Sequence, residues 1–291
     1  MLTIKPLTIA DIPAARRMSD HAGWNQLDVD WDRLIALWPQ TVLGGWLGDK
    51  LVATASLAHF EPIRGERLHL GWIGVMLVDV ECRGAGYGGK IFDAVMQCGA
   101  DRGITDYGLD ATDLGRPLYV KRGFTDRFGM NRWVCKTPAA TALPIEGIRP
   151  LAEADWHAVA AMDHRASRVN RTLLLKRLAQ EPGAHAIVAE AGGKRIGFAM
   201  YRAGRIAAYI GPIVAEDPAT ASKLCQSLIA AHNNPVFPLF ADVAAESPLE
   251  SCLHAAGFIV ARKLIRMGKA ADQHPLAYSP MAFTVAGLEL C

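Results

Sequence analysis

Two short motifs in the first half of the chain combine residue types that could carry out group transfer. Residues 83–88, with the sequence RGAGYG, follow an apolar strand pattern and precede a helical pattern. A glycine-rich turn that opens a helix leaves backbone N–H groups free to bind phosphate oxygens, and the helix dipole adds positive potential behind them. About thirty positions later, Leu118-Tyr119 is followed by Gly123-Phe124. The Tyr119 hydroxyl could supply a proton beside a thioester that such a phosphate-bearing tail delivers.

Together, these motifs resemble the pattern of the GCN5-related N-acetyltransferase (GNAT) superfamily. That pattern is (Gln/Arg)-x-x-Gly-x-(Gly/Ala), followed one strand and one helix later by Leu-Tyr-x-x-x-Gly-Phe. The resemblance implies acetyl-CoA as the acyl-donor cosubstrate and Tyr119 as the general acid. It also implies that strand residues bind the pantetheine arm and that loop N–H groups bind the pyrophosphate. This chain departs from the family at Thr112, where relatives often have an asparagine that contacts the same arm. The implied coenzyme contacts are Met76, Leu77, Val78, Arg83, Gly84, Ala85, Gly86, Tyr87, Gly88, Gly89 and Thr112.

Residues 84–89 also match G-x-G-x-x-G, the dinucleotide-binding fingerprint, and Asp106 could serve as its acidic ribose partner. That fingerprint should directly follow the first strand of its domain. Here several strand and helix signals precede the loop, and residues 81–83 separate it from the strand. A dinucleotide site also leaves the motif at residues 118–124 unexplained, so acetyl-CoA binding is the preferred interpretation.

Acetyl transfer from a thioester to an amine requires a neutral nucleophile, donors for the carbonyl oxygen and a proton for the departing thiolate. The resemblance implies that a backbone N–H within residues 75–77 is the oxyanion donor. A tyrosine hydroxyl has an ordinary pKa of about 10 and is protonated at neutral pH. Its phenolate is about as basic as an alkyl thiolate, so the hydroxyl can protonate the departing thiolate. The sequence leaves the general base open among His59, Glu61, His69 and Asp110.

The two halves of the chain open and close alike, which predicts a duplication. Residues 3–12 (TIKPLTIADI) are echoed by residues 147–156 (GIRPLAEADW), and a Gly-Phe pair near the end of each half is followed by a strand pattern. A repeat of this length indicates duplicated domains rather than a solenoid. The predicted units are a catalytic acetyl-CoA-binding GNAT domain at 1–137, a linker at 138–147 and a degenerate GNAT-like domain at 148–291.

The second half is expected to be catalytically silent. In place of the arginine–glycine loop it has residues 214–221 (VAEDPATA), whose acidic pair should repel phosphate. Leu253 stands at the position that matches Tyr119. These losses narrow the resemblance to bacterial tandem acetyltransferases whose C-terminal half lacks the phosphate loop and could bind the acceptor or serve as structure. The acceptor-binding candidates are His69, Asp110, Asp163 and Arg168, of which the last two follow the first helix of the second half.

The apolar periodicity predicts a mixed α/β fold in each half. In the first half the predicted order is β–α–α–β–β–β–α–β–α–β, with a sheet that is antiparallel at one side and parallel in its middle. The second half repeats a similar order, and residues 281–290 could add one further strand. Because this is the order of the superfamily that the motifs resemble, the predicted fold class is a mixed-sheet α/β fold in tandem duplication.

Composition favours a globular protein of two domains, since the 291 residues are 51% hydrophobic and 21% charged. A net charge of +2 gives no single-sign field, so no nucleic-acid partner is expected. No apolar run approaches the roughly 20 residues that span a bilayer, and the first residues lack signal-peptide features, so we expect a cytoplasmic location without a membrane partner. The six cysteines are scattered, which predicts neither disulfides nor a metal site, although Cys82 in the loop could be exposed.

The sequence thus predicts an N-acetyltransferase that acts on the amine of a small molecule, as a monomer or a homodimer. A small acceptor is expected because a fused second domain would close a groove wide enough for a folded protein. Two alternatives stay open at this point. One is a non-catalytic acyl-CoA-binding sensor, and the other is a nucleotide-dependent oxidoreductase.

Overall fold

The computed structural model describes residues 1–62, 68–138, 145–232, 234, 236–270 and 278–291. Its strands are β1 (Thr3–Pro6), β2 (Val42–Leu47), β3 (Lys50–Phe60), β4 (Leu70–Val78), β5 (Asp106–Ala111), β6 (Thr125–Cys135), β7 (Ile148–Pro150), β8 (His185–Ala191), β9 (Lys194–Arg202), β10 (Ala208–Ala215), β11 (Leu239–Ala244), β12 (Ile259–Lys269) and β13 (Ala282–Thr284). Its helices are α1 (Ile12–His21), α2 (Asp28–Leu37), α3 (Tyr87–Ala100), α4 (Arg116–Val120), α5 (Trp156–Ser167), α6 (Thr172–Ala179), α7 (Pro218–Ala231) and α8 (Leu249–Ala255). The mixed α/β fold predicted for both halves is confirmed.

The same local interaction starts the first helical segment of each half. In the first half, Asp11 Oδ2 accepts a 2.8 Å hydrogen bond from the Thr8 backbone N–H. In the second half, Asp155 Oδ2 accepts one of 2.8 Å from the Ala152 backbone N–H. A side-chain acceptor three residues downstream satisfies a donor that a helix start leaves unpaired. The sequence echo between the two halves therefore encodes a shared turn.

All strands join one sheet in the order β1-β2-β3-β4-β5-β12-β6-β11-β10-β9-β8-β7, with β13 paired to β10. The pairs β4–β5 and β10–β11 are parallel. The other described pairs are antiparallel. Each half therefore has one parallel pair in its middle, as the sequence predicts.

The two halves exchange their last strands, which the sequence analysis did not predict. Strand β12 of the second half lies between β5 and β6 of the first. Strand β6 in turn lies between β12 and β11, so the first half ends inside the sheet of the second. Backbone hydrogen bonds therefore run without a break from one half to the other. The division into units at 1–137 and 148–291 stays a prediction.

The helices cover the two faces of the sheet differently. On one face, called the shared face, α1, α2, α5 and α6 contribute to one core that spans both halves and includes Trp31, Trp72 and Val159. On the opposite face, α3 covers a core of the first half that contains Phe92 and Tyr119. There α7 and α8 cover a separate core of the second half. The shared core holds the halves together because burial of apolar side chains favours association. The exchanged strands add backbone hydrogen bonds between the halves.

The predicted extra strand is short, since β13 covers only Ala282–Thr284. Residues 285–291, called the tail, continue over the shared face without regular structure apart from turns. The predicted linker lies partly outside the described residues, which resume at Ile145. All six cysteines are free thiols. Within the described parts of the chain, no helix is both long enough and apolar enough to cross a bilayer.

Candidate active site

Strands β4 and β5 separate where the sequence predicts that the coenzyme arm binds. They pair in parallel only from Leu70 to Trp72. Val75 then adopts a φ of 41°, which is rare for a β-branched residue, and the β4–β3 register shifts around it. The Thr54 hydroxyl donates a 2.8 Å hydrogen bond to Val75 O and thereby fixes this bulge. Beyond the bulge, residues 76–78 present main-chain groups toward β5 that no described strand pairs with, and an amide-bearing ligand could pair with them.

The loop between β4 and α3 borders open space. Gly84 and Gly86 have φ values of 81° and 78°, which residues with a Cβ rarely adopt. A Cβ at either position would meet no atom within 4 Å. Helix α3 begins at Tyr87, and no side chain of the described chain caps its start. The N–H groups of its first turn are therefore available to an anion.

Neighbouring side chains fix the loop without filling it. Arg83 Nε donates a 3.3 Å hydrogen bond to Val78 O at the end of β4. A Cβ at Gly89 would lie 2.8 Å from Arg122 Nη2, so the start of α3 packs tightly against the end of α4. The predicted coenzyme contacts follow one path from β4 through the loop into α3: Met76, Leu77, Val78, Arg83, Gly84, Ala85, Gly86, Tyr87, Gly88 and Gly89.

Tyr119 lies on α4, near the carboxyl end of β5, with 7% of its surface exposed. Its ring centroid is 5.3 Å from that of Phe92 and 6.3 Å from that of Phe124. A Cβ at Gly115 would lie 3.5 Å from both the Tyr119 hydroxyl and Thr112 Oγ1, so the two hydroxyls border one small space. Burial raises the pKa of Tyr119 to about 12. Tyr119 can therefore donate a proton and stays protonated at neutral pH.

The corresponding helix start in the second half is already capped by an acid. Asp217 Oδ1 accepts a 2.8 Å hydrogen bond from the Thr220 backbone N–H, and Asp217 Oδ2 accepts one of 2.8 Å from the Thr220 hydroxyl. The Thr220 backbone hydrogen bond lowers the pKa of Asp217. A carboxylate at this place satisfies the N–H groups and repels phosphate. Leu253, which replaces the tyrosine, is fully buried on α8.

Strand β13 fills the gap between β10 and β11, which corresponds to the β4–β5 gap of the first half. The parallel pairing of β10 with β11 covers only two positions. Beyond them, β13 pairs with Ile213 and Val214 of β10. Val285 N–H donates a 3.2 Å hydrogen bond to Asp242 O of β11. The chain itself thus occupies, in the second half, the position that the coenzyme arm is predicted to take in the first.

The histidine candidates lie at the far end of β4. His69 precedes the Val75 bulge by six residues, which is about 20 Å at the rise of an extended strand. Its Nδ1 lies 3.2 Å from Gly103 O. His59 is on β3, next to the same end of β4, and burial lowers its pKa. The structure does not bring either histidine to the bulge.

The other acceptor candidates are held in ion pairs or lie at the surface. Asp110 accepts hydrogen bonds of 2.9 and 2.8 Å from Arg266, and Asp163 accepts bonds of 3.1 and 2.7 Å from Arg171. Both arginines line a partly open cavity between the halves. Asp163 lies within α5 rather than after it, and Arg168 is the exposed residue that ends this helix with a φ of 62°. Both carboxylates are therefore committed to arginine partners.

Sequence reasoning missed the tail as part of the site. The Trp72 indole N–H of β4 donates a 2.9 Å hydrogen bond to Leu288 O. Glu289 Cα and Cβ each lie 2.7 Å from the position that a Cβ on Gly74 would take, next to the β4 bulge. The tail thus covers β4 on the shared face. The available sequence signal was weak, a single acid within the apolar run AGLELC of residues 286–291.

Both halves of the chain match family models for acetyltransferases. Residues 12–124 match the model described as Acetyltransferase (GNAT) family. Residues 159–280 match the model described as Acetyltransferase (GNAT) domain. None of the curated proteins matches the chain.

Several solved structures share the tandem fold. A protein from Pyrococcus horikoshii assigned as an acetyltransferase is 18% identical, with a TM-score of 0.82 over 100% of this chain and 96% of that one. A tandem GNAT protein from the clavulanic acid biosynthesis pathway is 16% identical, with a TM-score of 0.65 over 94% and 99%. A GCN5-related N-acetyltransferase from Sphaerobacter thermophilus is 16% identical, with a TM-score of 0.64 over 92% and 95%. Because a GNAT model matches each half and the fold agrees, the chain belongs to the GCN5-related N-acetyltransferase superfamily, as an acyltransferase with two GNAT domains in tandem.

Proposed function

We propose that the protein transfers the acetyl group of acetyl-CoA to the amine of a small molecule, with Tyr119 as the general acid. One observation carries the proposal: an open β4–β5 gap, an uncapped α3 and a tyrosine with a buried ring occur together in the first half. Acetyl-CoA supplies an acetyl group activated as a thioester. The loop suits its diphosphate because Gly84 and Gly86 leave space for it and the α3 start offers N–H donors.

Groups of this chain account for the remaining needs of acyl transfer. Main-chain N–H groups at the Val75 bulge, which β5 leaves unpaired, would donate to the carbonyl oxygen as it gains negative charge. Tyr119 would donate its proton to the departing thiolate, and its raised pKa keeps that proton in place until then. Phe92 and Phe124 flank the tyrosine ring and exclude water from it.

What covers the shared face favours a small acceptor. Because the loop and α3 lie toward the opposite face, the amine must approach from the shared face. There, the tail of the second half lies against β4, and β12 extends the sheet beside β5. These elements leave only small, partly open cavities on this side, which favours a small molecule over a lysine presented by a folded protein.

A thiol-release assay with acetyl-CoA and a panel of amines and amino acids tests the proposal. Tyr119→Phe should lower kcat by about 10²- to 10⁴-fold and leave acetyl-CoA affinity unchanged in calorimetry. Gly86→Glu should abolish acetyl-CoA binding through strain and like charge. Gly103→Glu is the matched control, since Gly103 also has positive φ and open surroundings but follows the far end of α3. Binding without turnover of any amine would contradict the proposal, as would parent-like affinity in Gly86→Glu.

A further inference from the structure

Glu289 is the buried carboxylate of the described chain that accepts no hydrogen bond there. It is 7% exposed, and the tail holds it on the shared face. Buried carboxylates normally have hydrogen-bond partners, because an unpaired buried charge is costly. The others all follow this rule among the described residues: Asp30, Asp106, Asp155, Asp163, Glu181 and Asp242.

Two arginines form ion pairs with the Glu289 carboxylate at distances longer than hydrogen bonds. Glu289 Oε1 lies 3.8 Å from Arg33 Nη2 and 3.8 Å from Arg202 Nη2, too far for hydrogen bonds. Arg33 directs its hydrogen bonds to Asp30 and Glu181 instead. Arg202 donates to the carbonyl oxygen of residue 286. The carboxylate is therefore charge-compensated, and its oxygens stay available to another donor.

Glu289 lines a small, partly open cavity with nearly all-polar walls, between the tail and the α1–α2 connection. Gln26 lines the same cavity, and its Oε1 is buried without a partner among the described residues. Two residues whose acceptor oxygens receive no hydrogen bond from the described residues thus line one cavity. A primary ammonium group carries three N–H donors and a positive charge, so it would satisfy both.

The position of Glu289 relates this cavity to the acyl-transfer site. The contact between Glu289 and Gly74 places the glutamate beside the residue that precedes the Val75 bulge. The carboxylate carbon lies two bonds from Glu289 Cβ. Tyr119 belongs to the core of the opposite face. Glu289 Cα and Cβ thus lie on the shared-face side of the residue before the bulge, while Tyr119 packs on the opposite side of the sheet.

We propose that this cavity binds the ammonium group of the acceptor and that Glu289 is the general base, an inference that rests on the proposed function. Glu289 accepts one proton from the ammonium group, and the freed nitrogen lone pair forms the C–N bond to the thioester carbonyl carbon. The C–S bond breaks, and the sulfur takes the Tyr119 proton. The second proton of the attacking nitrogen returns to Tyr119 through solvent. The products are the N-acetyl amide, the free thiol and one proton, which Glu289 releases to water.

The same walls define the class of acceptor. The cavity has little apolar surface, which selects a compact hydrophilic amine over an arylalkyl amine. Arg132 and Arg202 also line it, so beside the ammonium group that Glu289 attracts they favour acceptor or carboxylate groups over a further positive charge. The expected acceptor is therefore a primary monoamine that carries hydroxyl, amide or carboxylate groups rather than a diamine.

The test compares Glu289→Gln with Glu181→Gln on the full-length protein. Glu181 is a matched control because it also contacts Arg33 but does not line the cavity. Each variant is assayed with the best compact amine from the panel and with its aminooxy analogue, whose nitrogen is already neutral at pH 7. Glu289→Gln should lower kcat/KM for the amine by about 10²- to 10³-fold and for the analogue by less than about threefold. Glu181→Gln should change both acceptors equally.

Three outcomes would overturn the inference while the proposed function stands. These are an unchanged Glu289→Gln rate, an equal loss on both acceptors, and a preference of the parent for arylalkyl amines. If Glu289→Gln unfolds at a lower temperature than the parent, Glu289→Asp supplies the comparison, since a shortened base should restore part of the amine rate. Failure of the parent to acetylate any amine would instead refute the proposed function itself.

Discussion

Replacing Gly74 by alanine would push the tail away from β4. The added Cβ would lie 2.7 Å from Glu289 Cα, 2.7 Å from Glu289 Cβ and 3.1 Å from Glu289 O. Carbon atoms in contact are about 3.5–4.0 Å apart, so the tail backbone must shift by roughly 1 Å. Overpacking of this kind costs about 1–3 kcal/mol. In a chain of this size each kcal/mol lowers Tm by roughly 2–4 °C.

The functional consequence should be confined to the acceptor side. Because Glu289 moves while the loop of residues 83–88 does not, we expect the acceptor KM to rise about tenfold, equivalent to about 1.4 kcal/mol, with acetyl-CoA affinity within about twofold of the parent. Gly71→Ala is the control, since its Cβ would meet Leu57 Cδ1 at 2.8 Å and Ile104 Cγ2 at 3.1 Å in the core under α3. It should lower Tm without raising the acceptor KM. A Gly74→Ala protein with parent Tm and KM, or an equal KM change in Gly71→Ala, would refute the reasoning.

Two further predictions concern the exchanged strands and Tyr119. A fragment of residues 1–137 lacks β12, the strand between β5 and β6. We therefore expect this fragment to show no cooperative thermal transition until residues 148–291 are added. A fragment that folds alone and binds acetyl-CoA would contradict this. Burial raises the pKa of Tyr119 from about 10 to about 12, so the unfolded chain loses this proton first and stability falls as pH rises through that window. The loss is about 1.4 kcal/mol at pH 11. Tyr119→Phe should remove that part of the alkaline loss in urea unfolding at pH 9 and pH 11, and an unchanged pH dependence would disprove the assignment.

The features that the sequence predicts well are local. The turn at residues 83–88 follows from glycines that can adopt positive φ and from a helix that begins directly after them. The Tyr119 motif encodes a short helix and a Gly123 turn, whose N–H groups are satisfied within a few residues. Likewise, Asp217 sits one residue before Pro218, which predicts a capped helix start unsuited to phosphate. Such patterns need no knowledge of distant partners.

The features that the sequence does not predict depend on pairing between distant segments. Strand β12 carries a pattern that fits the sheet of either half, because alternation specifies a face and not a partner strand. Its Arg266 meets Asp110 across 156 positions, and no local signal joins them. The same limit applies to Asp163, which the sequence offers with Arg168 as a candidate for acceptor binding. Its ion pair with Arg171 cannot be inferred from spacing alone.

The tail connects the two halves of the chain through hydrogen bonds to both. Its carbonyl groups accept hydrogen bonds from side chains of both halves: Trp72 of the first, and Arg171, Arg202 and Tyr209 of the second. Loss of any one bond would leave a buried polar group unpaired, so the tail is a fixed element rather than a mobile lid. Strand β13, directly before it, occupies the gap that a coenzyme arm would need in the second domain. Under the proposed mechanism, the second half would therefore anchor the segment that carries Glu289, which would give a half predicted to lack phosphate binding a structural role in acetyl transfer.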